Sequence, residues 1–173
     1  MDEPLDFAIA DDGRRYYICA GEYEISVGIP IQASTRKVIE TCIKNTRNDP
    51  CLTLQLQVAE LKKFLERAKL LSTGSSGVKA VRFSAKQGEN YIAVSHTSPV
   101  GDISATLPAL INSAVKNVDI HIALRNITDV CVNLQESEVM MEVRSPRSAM
   151  LIFEKFKNAS ITHLVLPLVI SKD

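Results

Sequence analysis

Three histidines, His96, His121 and His163, are the side chains best suited to proton transfer or metal binding in this sequence. Each falls on a strand-like run, and none has a second ligand at metal-binding spacing, so each reads as a surface or satisfied strand residue. The stretch GSSGVK has glycines and a lysine but lacks the spacing of a loop that cradles phosphate. No G-x-S-x-G elbow presents a nucleophilic serine. Asp11 and Asp12 are adjacent carboxylates that could hold Mg²⁺, but a tight turn at Asp12-Gly13 explains them more simply. Cys19, Cys42, Cys51 and Cys131 form no C-x-x-C pair and read as free thiols of a cytoplasmic protein. Met1 leads straight into acidic residues, so no signal peptide is expected. The expectation is a protein with no catalytic residues, no metal and no cofactor.

Charge and hydropathy carry more information. Lys plus Arg number 20 and Asp plus Glu 20, so the net charge is zero and gives no whole-molecule attraction to nucleic acid. The charges are unevenly placed. Residues 1–12 sum to −5 and residues 118–143 to −4, whereas residues 34–47 sum to +3 and residues 59–71 to +2. Arg36, Lys37, Lys44 and Arg47 make the first basic segment, and Lys62, Lys63, Arg67 and Lys69 the second. Tryptophan is absent and aromatic content is 5%, which leaves little with which to stack single-stranded bases. The run Leu164–Ile170 is apolar throughout, with Pro167 near its centre. It is far shorter than the roughly 20 residues of a membrane span, so no membrane partner is expected.

The elements that would position these residues repeat. CLTLQLQV alternates Leu52, Leu54, Leu56 and Val58 with polar residues, the period of a half-buried strand. AELKKFLERAKLL puts Leu61, Phe64, Leu65, Ala68 and Leu71 on one helical stripe. Three strand-like runs follow, VKAVRFSAK, NYIAVSHT and DISATLPAL, with turns at Gln87-Gly88-Glu89 and Pro99-Val100-Gly101. The order then recurs 66 residues later: the strand VDIHIAL, a helix NITDVCVNL capped by Asn126, and the strands EVMMEVRS, SAMLIFEKF and THLVLPLVI. Two tandem β-α-β-β-β modules predict an α+β fold with antiparallel sheets on one side and both helices packed on the other. Ahead of them, DFAIAD, YYICAG and YEISVGIPI read as strands. STRKVIETCIKN reads as a helix with Val38, Ile39, Cys42 and Ile43 inward, broken by NTRNDP.

This arrangement resembles the bacterial sliding clamp, the beta subunit of DNA polymerase III. FAIADDGRRYYICA is similar to a hairpin motif of the clamp's middle domain, in which Asp12, Gly13 and Arg15 fit and Asp11, Arg14 and Tyr16 depart. IPIQASTRKVIE looks like the segment after that hairpin, and LVLPLVI like the clamp's last strand. Residues 51–170 resemble the C-terminal clamp domain in element order. Between Ile43 and Cys51 the family would have three more strands. The resemblance therefore implies a truncated or divergent clamp, with residues 1–50 a partial clamp domain and residues 51–173 a complete one, and more than two chains to a ring.

The resemblance further implies a DNA replication or repair factor that tethers a polymerase without chemistry. It would assemble as a homo-oligomer around duplex DNA, with Arg36, Lys37, Lys44, Arg47, Lys62, Lys63, Arg67 and Lys69 facing the phosphates. It would also dock peptides of DNA polymerase or other clamp-binding proteins in an apolar pocket. Gly13 and Tyr16 would form one wall, and Leu164, Leu166, Pro167 and Leu168 the other. Two plainer readings stand beside these. The lysines and arginines equally suit a solvated helix face, and half of any alternating strand is core. The alternative function is a non-catalytic α+β protein-binding or regulatory domain that does not encircle DNA.

Overall fold

The computed structural model describes residues 5–9, 15–20, 23–28, 33–73, 79–114, 117–155 and 160–168, with backbone alone at 5–34, 36, 113 and 114 of these ranges. The chain divides into two compact units, residues 1–41 and 42–173. In the first, β1 (Leu5–Ile9), β2 (Arg15–Ala20) and β3 (Tyr23–Gly28) form an antiparallel sheet in that order. Ile9 pairs with Tyr16 and Arg15 with Gly28. The turn expected at Asp12-Gly13 lies outside the described residues.

Helix α1 (Ala33–Asn48) runs through the NTRN that was expected to break it. The chain leaves the helix only at Asp49, because the residue before a proline is driven out of helical geometry and Pro50 follows. Along α1, Ile39, Cys42 and Ile43 are half-buried. Val38, expected inward, is 60% exposed.

The larger unit contains β4 (Leu52–Gln57), α2 (Val58–Leu71), β5 (Ala80–Ala85), β6 (Tyr91–Ser98) and β7 (Gly101–Ala114). The second module repeats them as β8 (Val118–Ala123), α3 (Leu124–Asn133), β9 (Glu138–Val143), β10 (Met150–Lys155) and β11 (Ser160–Val165). The eight strands are ordered β11-β10-β9-β4-β7-β6-β5-β8, and every pairing is antiparallel. At Gly88, between β5 and β6, φ is +83°, a backbone state that a side chain disfavours.

Apolar side chains of both modules meet in one core. Leu54, Leu61, Phe83, Ile92, Ile120, Ile127 and Met141 are each at most 1% exposed. The two helices pack on each other, α2 also against β7 and α3 against β8 and β11. The modules begin their helices alike. The Val58 N–H donates to the Ser137 carbonyl at 2.9 Å and the Leu124 N–H to the Lys79 carbonyl at 2.7 Å, positions 66 residues apart in the sequence. These backbone bonds satisfy donors that would otherwise need a side-chain cap. Asn126 is accordingly not the cap of α3: the helix starts two residues earlier, Ala123 occupies the cap, and no side chain bonds there.

The apolar tail joins the two ends of the sheet. β11 pairs with β10 as far as Val165, and Pro167 then forms an antiparallel bridge with Ile122 of β8. The Leu168 N–H donates to the His121 carbonyl at 2.7 Å. Pro167 thus sits where the strand changes partner, a place that asks no N–H of it.

Candidate interaction surfaces of the helical face and the tail

Helix α2 turns Val58, Leu61, Phe64, Leu65 and Ala68 into the core, so residues on its other side meet solvent. Lys63 and Arg67 are both exposed and lie one helical turn apart on that side. Lys63 makes an ion pair with Glu60 at 2.8 Å, with the two side chains 64% and 45% exposed, a contact of small energetic weight. Lys62 does something different. Its ammonium donates to the Leu134 carbonyl at 3.1 Å, capping the negative end of α3. Lys69 is exposed at the end of α2. Arg125 belongs to the first turn of α3 and pairs with Asp129 at 3.6 Å.

Lys37 and Lys44 of α1 are exposed, and the Arg36 side chain lies outside the described residues. The Arg47 guanidinium stands 4.5 Å from the centre of the Phe153 ring and donates to Thr162 Oγ1 at 3.2 Å. Phe153 and Thr162 are register partners and alternate with Ile152, which belongs to the central core. Arg47 therefore lies on the sheet face opposite α2 and α3. On that face Leu151 is fully buried; Thr46 of α1 is 2% exposed.

Glu142 is also on this outer face, as the register partner of both Thr53 and Leu151. Its Oε2 is buried with no hydrogen-bond partner among the described residues. Burial pushes this carboxyl above its ordinary range, and Arg47 pulls it partly back. A carboxyl whose folded value is raised contributes stability below the unfolded value and loses it as pH rises through the folded one. Glu142→Gln is thus expected to stabilise the protein at pH ~8 by on the order of 1 kcal/mol, the scale of one unsatisfied polar atom, and to change little at pH ~4. Urea midpoints at both values check this; a destabilised variant at the higher pH would contradict it.

In the tail, Val165 is 3% exposed while Leu166 is 60% exposed. Leu164, Pro167 and Leu168 are half-buried. The apolar run thus has a core side at Val165 and a solvent side at Leu166. Gly13 lies outside the described residues, and Tyr16 is described only as a backbone position in β2.

Two of the histidines are tethers that the sequence does not reveal, because their partners are 24 and 9 residues away. Ser72 Oγ and His96 Nε2 are 2.7 Å apart, and His96 Nδ1 is 2.7 Å from the Ala80 carbonyl. A carbonyl only accepts, so Nδ1 carries the proton and the serine donates to Nε2. The nitrogen away from the serine thus meets a backbone carbonyl, and both side chains are at most 3% exposed. The pair fixes the end of α2 to β5 and β6. His163 Nε2 meets Glu154 Oε2 at 3.1 Å. Among the described residues no group of three or more His, Cys, Asp or Glu is arranged for a metal ion, and no helix is long and apolar enough to cross a membrane.

No family model matches this chain, and no curated protein matches it. Solved structures do. A protein described as a DNA polymerase III beta subunit from Eubacterium rectale matches 96% of the chain at a TM-score of 0.70 and 16% identity. The DNA polymerase III beta subunit of Thermotoga maritima matches 99% at 0.67 and 19%, and the sliding clamp of Bacillus subtilis 96% at 0.65 and 19%. The chain spans 41–43% of the length of these three proteins. The α+β architecture of tandem modules, closed by an apolar last strand, is therefore the fold of the bacterial DNA sliding clamp.

Proposed function

We propose that this protein is a clamp-like DNA replication or repair factor that assembles with copies of itself around duplex DNA and performs no catalysis. The match of nearly the whole chain to solved clamps carries this reading. In it, residues 51–173 act as a complete clamp domain and residues 1–50 as part of another. Lys63 and Arg67, exposed on α2, meet phosphates without regard to sequence. The tail serves as the docking strand for partner peptides, with Leu166, 60% exposed, as the apolar contact.

Self-assembly is the requirement that separates a ring from a solitary binding domain. Light scattering on the purified protein is expected to give a mass above that of one 19.0 kDa chain. A single-chain mass at every concentration tested would contradict encirclement and favour a domain that binds partners without a ring.

A further inference from the structure

A cleft of about 570 Å³ lies between the end of α2 and the start of α3. Its walls carry three cationic side chains, Lys69, Lys79 and Arg125, against one carboxylate among the described lining residues, Asp129. Ser72, which lines the cleft, is tethered to His96, and the Lys79 ammonium also bonds to the Ser72 carbonyl. Arg125 is 90% exposed and its contact to Asp129 is long at 3.6 Å, so an incoming carboxylate can compete for it at small cost.

The register ties this cleft to the tail. Because Pro167 bridges Ile122 in antiparallel sense, Leu166 is level with Ala123, and Ala123 lines the cleft. An apolar contact and a net positive recess are thus neighbours on one surface. We propose that the cleft takes an acidic segment of the docked partner peptide, its carboxylates held by Lys69, Lys79 and Arg125 while an apolar anchor rests on Leu166. The inference rests on the peptide-docking reading above and adds to it the charge of the partner. Opposed charges at a solvent-facing cleft select the partner and speed its arrival more than they hold it.

The test is fluorescence anisotropy with two labelled synthetic peptides, each an extended segment with two leucines, flanked in one by aspartates and in the other by asparagines. The wild-type protein is expected to bind the acidic peptide about five- to tenfold more tightly at about 50 mM salt. That ratio is expected to fall towards one at about 500 mM salt, where screening is strong. The double variant Lys69→Gln/Arg125→Gln, altered only at exposed positions, is expected to lose the preference and keep the asparagine peptide. Leu166→Asp is expected to weaken both peptides. Equal affinity of the wild-type protein for the two peptides would overturn the role of the cleft and leave the docking strand standing. An undiminished preference in the double variant would overturn it as well. Failure of both peptides to bind would overturn the cleft and the docking strand together.

Discussion

Replacing Lys63 and Arg67 together by glutamate is expected to lower affinity for duplex DNA about 100-fold at about 50 mM salt. Both residues are exposed on α2, on the side away from Leu61, Phe64, Leu65 and Ala68. Each phosphate contact releases condensed counterions, so losing two should flatten the slope of log affinity against log salt by about 2 units. Reversal adds repulsion to the lost attraction, which is why the effect exceeds that of neutral replacements. Lys62 is left out of the substitution because its ammonium caps α3 at Leu134, and reversing it would disturb the helix pair. Lys86→Glu, a single charge reversal at the β5–β6 turn, serves as a control away from α2 with little expected effect. Binding isotherms at several salt concentrations check this, and an unchanged slope in the double variant would remove α2 from the DNA-facing surface.

Removing the Glu154 carboxylate is expected to have the largest effect on stability. Glu154 is 1% exposed on β10. One oxygen accepts the N–H groups of Gln135 at 2.7 Å and Glu136 at 3.1 Å, and the other meets His163 of β11 at 3.1 Å. A single side chain thus joins the segment after α3 to the last strand. Glu154→Leu would leave those partners unsatisfied, a loss of about 3 kcal/mol, which is a large share of the roughly 5–15 kcal/mol that holds a domain together. Burial by itself would raise this carboxyl, but the bonds from His163 and from the Glu136 and Gln135 amides outweigh it and hold the group below its ordinary value. A depressed carboxylate contributes stability above the unfolded value, about 4.3 for glutamate, and that contribution is lost as pH falls through the lower folded value. Thermal melts from pH ~6 down to pH ~2 are expected to show a shallower acid loss in Glu154→Gln than in the wild-type protein. Parallel acid limbs would show that Glu154 does not carry the dependence.

What the sequence made legible follows from how local each signal is. Alternation at Leu52, Leu54 and Leu56 and the stripe Leu61–Ala68 identify β4 and α2, because a strand or helix buries one face at its own period. The 66-residue recurrence discloses the two modules for the same reason. The end of α1 is not legible locally, because NTRN looks like a breaker by type, whereas in the fold Arg47 meets Phe153 on the outer face of the sheet and Thr46 is buried. Asn126 was given the cap of α3 because the rule for caps counts side chains, and here the Lys79 carbonyl supplies the bond. The candidate surfaces were half visible. Lys62, Lys63 and Arg67 are alike in sequence, but only burial and the Leu134 contact separate the helix cap from the exposed pair. The nearness of Leu166 to the cationic cleft depends on which strand the tail joins after Pro167, a pairing across 45 residues that no local pattern encodes.

Topological retention on DNA tests the central claim most directly. A clamp that encircles the duplex slides along it and leaves at a free end, whereas a protein held by surface charge dissociates in salt whatever the shape of the DNA. The assembled protein should be loaded on a nicked circular plasmid, washed at about 500 mM salt to screen phosphate contacts, and followed by gel filtration before and after the plasmid is cut once. The expected result is protein that stays with the circle through the wash and is released by linearisation. Protein that washes off the circle, or that stays equally on circular and linear DNA, would contradict the clamp.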